Sequence, residues 1–237
     1  MIGFGQQTYV PDDNFEAYLE ANNMGNGIAN DDYVTTANIN TINTLDVDNM
    51  NIASLVGIED FASLQYLYCG LNQLIFLDLS NNISLEHLHC PENNITTINI
   101  SNCINISGIN CEDNQIISLD ITQHNLLREL ELKNNNLSFL NLKNGANNLF
   151  NHIRFTDNPN LTCINVDDVA WSNANWTDID PQQYFSTNCQ PLSIQEHTTN
   201  KKLLKVTDLL GRETKQTNQP LFYIYDDGTV EKRIVID

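Results

Sequence analysis

Four consecutive segments superimpose without a gap: SLQYLYCGLNQLIFLDLSNNI (63–83), SLEHLHCPENNITTINISNCI (84–104), NISGINCEDNQIISLDITQHN (105–125) and LLRELELKNNNLSFLNLKNGA (126–146). Asn72, Asn93, Asn114 and Asn135 recur at one position of this 21-residue period. Leu67, Leu88, Ile109 and Leu130 recur at a second, and Leu77, Ile98, Leu119 and Leu140 at a third. A fifth copy with two extra residues follows, through Leu149, Ile153, Phe155, Asn158, Leu161, Ile164 and Val166. A degenerate copy precedes them at Leu45, Val47, Ile52 and Leu55, with Met50 in place of the recurring Asn. One such unit cannot bury its apolar side alone, but stacked units can, so the period predicts a solenoid.

Working outward, apolar-x-apolar alternation puts both apolar side chains on one face of a short strand. The recurring Asn closes a turn, where its amide can donate to and accept from backbone groups that a tight coil leaves unpaired. That role accounts for 37 Asn in 237 residues. These Asn are therefore read as a turn ladder and not as ligand sites.

The pattern resembles leucine-rich repeats, consensus LxxLxLxxNxLxxLxxN, and more closely the bacterial 21-residue class, LxxLxCxxNxLxxLDLSxN. The second half of each copy reads LIFLDLSNN, ITTINISNC, IISLDITQH and LSFLNLKNG. The resemblance covers residues 45–166. It implies a leucine-rich-repeat solenoid of parallel β coils with strands on both sides and little helix. It also implies use as a binding surface for proteins or other ligands.

Composition agrees. The chain carries 11 basic and 30 acidic residues, a net charge of −19, and is 41% hydrophobic. That is too apolar for a disordered acidic chain and has the wrong sign for a nucleic-acid partner. No run of about 18 apolar residues suggests a membrane span.

A solenoid needs caps. Residues 1–44 are assigned to an N-terminal cap. Its helix is expected over 12–22, with Phe15, Tyr18 and Leu19 on one face and Pro11, Asp12 and Asp13 at its start. The following NNMGNGIANDDYV has the Asn and Asp content of a calcium loop but not its spacing, because Met24 falls at a ligand position and the closing Glu is missing. Turn chemistry is the better reading. Ile2-Gly3-Phe4-Gly5-Gln6 is expected to be the remnant of a signal peptide. At the other end, residues 167–190 break the period and hold both tryptophans, Trp171 and Trp176, bracketed by Cys163 and Cys189. This stretch resembles the C-terminal caps of secreted bacterial repeat proteins, and that resemblance implies a Cys163–Cys189 disulfide.

Cys69, Cys90 and Cys111 sit at the second apolar position of the strand and should stack inward as free thiols. Their spacing is not that of a zinc site. Cys103 lies in a turn, as an exposed thiol or a local structural residue.

After Pro191 the composition changes. Residues 1–190 hold four basic and 23 acidic residues, whereas 191–237 hold seven of each. KKLLKVTDLLGRE and PLFYIYDDGTVEKRIVID are strand-like, with Asp227-Gly228 as a hairpin turn. Three pieces, Lys205-Val206-x-Asp208-Leu209-Leu210-Gly211-Arg212, Tyr223-Ile224-Tyr225-x-Asp227-Gly228 and Lys232-Arg233-Ile234-Val235-Ile236, resemble the type A C-terminal sorting domain of substrates of the Bacteroidetes type IX secretion system. The resemblance implies a small all-β tail over 191–237 that passes cargo to the export machinery, and a secreted or outer-surface protein.

Residues between the core positions of the first strand face outward and form two columns. One is Thr44, Tyr66, His87, Gly108, Glu129, His152; the other is Asp46, Tyr68, His89, Asn110, Glu131, Arg154. Neighbouring strands lie about 4.8 Å apart, so Tyr66 and Tyr68 should sit beside His87 and His89. This patch, with Glu129, Glu131 and Arg154, is the expected ligand face for a protein or glycan on the concave side. His87 and His89 lack a carboxylate on either neighbouring coil, so no metal or cofactor is assigned. Asp78, Asn99, Asp120 and Asn141 are read as an Asx ladder. No carboxylate occupies an apolar position of the repeat, and no nucleophile elbow, phosphate loop or metalloprotease motif is present, so no enzyme activity or catalytic residue is assigned. The expected function is a secreted or surface binding protein, with a structural surface-layer component as the alternative.

Overall fold

The computed structural model describes residues 5–189 and three strands further on, Leu203–Thr207, Pro220–Tyr225 and Val230–Ile234. The chain divides into two compact units, Met1–Cys189 and Gln190–Asp237.

In the first unit the repeats wind into a parallel β solenoid. A six-stranded front sheet runs through Thr44–Asp46, Tyr66–Tyr68, His87–His89, Gly108–Asn110, Glu129–Glu131 and His152–Arg154. Each pair is in the register that the period dictates, with Leu67 opposite Leu88, Ile109 opposite Leu88, and Leu130 opposite Ile109. The back of the coil carries two parallel sheets, a pair (Phe76–Asp78 with Thr97–Asn99) and a four-stranded one (Ser118–Asp120, Phe139–Asn141, Cys163–Asn165, Tyr184–Ser186). The last of these strands lies in the C-terminal cap, so the back sheet continues one strand beyond the repeats.

The core is the stack of inward positions between the sheets. Leu67, Leu88, Ile109 and Leu130 are at most 3% exposed. Burying one such side chain contributes roughly 1.5–3 kcal/mol. Leu149 differs from its repeat assignment. The two extra residues form a 3₁₀ turn, Asn147–Leu149, which leaves Leu149 exposed while Phe150 packs on the core.

The Asn ladder is the hydrogen-bonding spine. Asn93 Nδ2 donates to Cys69 O of the coil before it (2.9 Å), and its Oδ1 accepts from Leu74 N (3.0 Å). Asn114 repeats this with Cys90 O and Ile95 N, and Asn135 with Cys111 O and Ile116 N. Ile52 N follows the same pattern with Asn72 Oδ1, and Met50 N, at the place of the missing Asn, shares that oxygen. The residue before each ladder Asn has left-handed backbone: Leu71, Glu92, Asp113, Asn134 and Asp157, with φ between 52° and 59°. A second ladder runs along the other turn, where Asn82, Cys103 and His124 contact the carbonyls of Ile58, Leu79 and Ile100. Cys103 is thus a buried structural residue. On the back, Asp78 and Asn99 bond to each other (3.0 Å), as do Asp120 and Asn141 (3.1 Å), while each accepts from the backbone N–H two residues on.

The N-terminal helix is Asp13–Ala21, with Asp12 capping Asn14 N and Phe15 N. The other oxygen of Asp12 accepts from Ala53 N and Ser54 N, which ties the cap to the first coil. Phe15 stacks on Phe61, with centroids 6.3 Å apart. The Asn- and Asp-rich segment is held by turn chemistry: Glu20 accepts from Asn26 N and Gly27 N, and Asn26 bonds Asp31. At the far end a short helix, Val169–Asn175, carries Trp171, and a disulfide joins Cys163 to Cys189.

In the second unit the three strands form an antiparallel sheet with Pro220–Tyr225 in the middle. Lys205 is exposed on its first strand. Tyr225, Lys232 and Arg233 lie on the other two. Asp208, Gly211, Arg212, Asp227 and Gly228 lie outside the described residues, as does the residue 1–4 segment.

Candidate functional site on the front sheet

Short parallel strands present one outward residue on either side of each core position, so the front sheet brings side chains from different coils together. Tyr66 and His87 stack with centroids 5.3 Å apart and planes 10° from parallel. Tyr68 and His89 stand 5.8 Å apart at 48°. All four are half-buried. Glu86 accepts from the Tyr66 hydroxyl (3.3 Å) and the Gln65 amide (2.9 Å). Its charge, and then that hydrogen bond, push the Tyr66 phenol above its ordinary value. His87 Nε2 lies 3.1 Å from Ser107 Oγ.

Gly108 follows His87 in the same column. A hollow of about 190 Å³ opens over Gly108 and Asn110. Tyr68, His87 and His89 form one wall, and Glu129, Glu131 and His152 the other. Glu129 is exposed at the rim.

Glu131 faces the hollow, as its column implies, but it is buried, only 7% exposed. The next strand explains this: His152 Nε2 reaches Glu131 Oε2 at 2.7 Å, and the Arg154 guanidinium stands 3.7 Å from the same oxygen. Among the described residues, the other oxygen, Oε1, is buried without a hydrogen-bond partner, as is His89 Nδ1. Both residues line the hollow. Glu16, in the capping helix, is a second buried carboxylate, held by Asp31 N. A carboxylate can therefore be buried in this chain at a position that the repeat marks as polar.

The site thus combines flat rings with carboxylate and amide groups. That set recognises a ligand offering hydrogen-bond donors and a flat or cationic group. Among the described residues, no three His, Cys, Asp or Glu side chains are arranged to hold a metal ion. Of the expected site residues, Tyr66, Tyr68, His87 and His89 form one contiguous patch, and Glu129 and Glu131 face it across Gly108. Arg154 supports Glu131 and does not line the hollow. Glu86 and Ser107 were not singled out from sequence because they lie just before the strands, outside the alternation.

No protein-family model matches the chain, and no curated protein matches it. Solved structures do. The functional domain of InlJ from Listeria monocytogenes, which includes a cysteine ladder, matches with a TM-score of 0.56 at 24% identity, over 70% of this chain and 39% of that one. The fold is that of a leucine-rich-repeat solenoid. The chain thus spans well under half the length of that InlJ domain. An internalin structure, inlF of the same species, matches with a TM-score of 0.44 at 20% identity, over 75% of this chain and 56% of that one.

This leucine-rich-repeat solenoid has a cysteine stack of its own. Cys69, Cys90 and Cys111 are free and fully buried, each directly after a successive front strand, with Cys90 and Cys111 Sγ atoms 3.1 Å apart. Among the described residues, no helix is long and apolar enough to cross a membrane.

Proposed function

We propose that the chain is a secreted or outer-surface binding protein whose front sheet docks a protein or glycan, with Tyr66, Tyr68, His87 and His89 as anchors. The observation that carries this is the pair of ring contacts bordering the hollow over Gly108. A half-buried aromatic cluster with carboxylates across from it is the chemistry of a contact hot spot, where a few anchors dominate the energy. Residues 191–237 are read as a type IX sorting tail; its antiparallel strands support that reading. On this view the net charge of −19 favours basic or neutral partners over acidic ones.

Two measurements test the reading. The first is the location and intact mass of the native protein in its own cells. A surface or medium form lacking the tail is expected; a full-length form inside the cell would remove the export assignment. The second is saturable attachment of the labelled protein to cell surfaces. Alanine at Tyr66, Tyr68, His87 and His89 together is expected to abolish it with the melting temperature unchanged. Unchanged attachment would remove the front sheet from the reading.

One observation favours a structural, self-assembling component. The strand Phe76–Asp78 begins the back sheet, pairing with Thr97–Asn99 on one side, and leaves Ile75 and Phe76 62% and 54% exposed. Sedimentation that changes with protein concentration, and stops doing so in Phe76→Lys, would support assembly through this edge.

A further inference from the structure

Both tryptophans of the chain stand at the C-terminal end of the solenoid, and only one is buried. Trp176 fills the core end, edge-on to Phe150 (6.0 Å), Phe155 (6.5 Å) and Trp171 (5.5 Å). Trp171 and Phe150 are only half-buried. They line an open hollow of about 490 Å³ between the last front strand and the capping helix. That volume lies within the range of about 300–1,000 Å³ typical of small-ligand sites.

The polar lining is unusual for this chain. Most ladder Asn side chains are buried and spent on backbone groups. Asn147, in the 3₁₀ turn, is buried and spent in the same way, donating to Leu142 O and accepting from Asp167 N. Its neighbours Asn148 and Asn151, with Thr177 and Asp178, are exposed, and their side chains make no hydrogen bond among the described residues. Uncommitted amide, hydroxyl and carboxylate groups thus ring two partly bare aromatic faces.

We propose that this hollow is a saccharide subsite. A neutral sugar ring would lay its C–H face on Trp171 and Phe150, and its hydroxyls would bond Asn148, Asn151 and Asp178. Among the described residues no Lys or Arg lines the hollow, and its one histidine, His152, is paired with Glu131, so an anionic sugar finds no free cation there. The acidic chain repels such a ligand as well. An apolar peptide would cover the rings but leave the polar groups unpaired, at a cost in affinity. The site is separate from the anchors of the front sheet, with His152 lining both hollows.

Because the chain has two tryptophans and both line this hollow, intrinsic fluorescence reports on it directly. The full chain is titrated with lactose, cellobiose, maltose and chitobiose at millimolar concentrations. A saturable change in Trp emission is expected with at least one of them. It should weaken about tenfold in the double variant Asn151→Ala/Asp178→Asn, both exposed positions whose loss leaves folding intact. It should persist in Tyr66→Ala/His87→Ala, so that failure of the front-sheet reading and failure of this one remain distinguishable. The proposal is overturned if no sugar changes the emission, if the double variant responds as the wild type does, or if glucuronate or an apolar peptide matches the neutral sugars.

Discussion

The His87 ring occupies the space that Gly108 leaves empty: a Cβ at position 108 would stand 2.5 Å from His87 Nδ1. The backbone at 108 lies in a strand and needs no special φ, so the glycine is there for room and not for conformation. Gly108→Ala should therefore push His87 off its parallel stack on Tyr66 and fill the floor of the hollow. The fold should hold, with a stability change within about 1 kcal/mol, since the ring edge can shift. Surface attachment should fall at least as far as in His87→Ala. A variant that binds normally would show that the His87 ring position is irrelevant to the ligand.

The ladder Asn residues should be far more costly to lose. Asn114→Ala removes the donor to Cys90 O and the acceptor of Ile95 N, both buried. Leaving buried backbone groups unpaired costs about 1–3 kcal/mol each, so roughly 3 kcal/mol is expected. At about 2–4 °C per kcal/mol for a domain of this size, the melting temperature should drop by roughly 6–12 °C. Asn94→Ala, at an exposed position in the corresponding turn of the preceding coil, should change stability by about 0.5 kcal/mol or less. Equal effects at the two positions would contradict an Asn spine that holds the coils together.

Much of this architecture was legible because the period fixes register. Once Leu67, Leu88 and Ile109 are aligned, strand alternation places Tyr66 beside His87 and Tyr68 beside His89 without any structure. The hollow was not legible, because it depends on how the His87 ring leans over Gly108 and on Glu131 being held by His152 and Arg154. Those are contacts between coils, and no repeat position encodes them. The second ladder was hidden for a different reason. Asn82, Cys103 and His124 do one job with three residue types, so the column does not look like a repeat. The left-handed position was masked in the same way by Leu, Glu, Asp and Asn, and Leu149 was misplaced because its coil carries two extra residues.

That left-handed position gives a stabilising substitution. Leu71 has φ +54° and is 50% exposed. Left-handed backbone costs a branched L-residue roughly 1–2 kcal/mol, and Asn tolerates it better. Asn134 already occupies the equivalent place. Leu71→Asn should therefore raise stability by about 0.5–1 kcal/mol, read as a higher urea midpoint with unchanged slope. No gain would mean that Leu71 makes a compensating apolar contact across its exposed face.

The buried thiols should make the solenoid sensitive to alkali. Burial pushes the Cys103 thiol up to about 11, and hydrogen bonds within the sulfur stack, then burial, push Cys69 and Cys90 well above their ordinary value. In the unfolded chain these groups ionise near about pH 8.5. The folded state holds their protons more tightly, so this stabilisation is complete below about pH 8.5 and is lost as pH rises toward and through about 11. The urea midpoint should thus be level from neutral pH to about pH 8.5 and then decline. Tyr and Lys also titrate in that range, so the comparison that decides is Cys103→Ala, in which the decline should be shallower. Without reductant, the folded protein at about pH 8 should alkylate none of Cys69, Cys90, Cys103 and Cys111. After unfolding it should alkylate four thiols, with Cys163 and Cys189 protected by their bond until it is reduced. Rapid labelling of the folded state would mean that the front strands open far more readily than their packing implies.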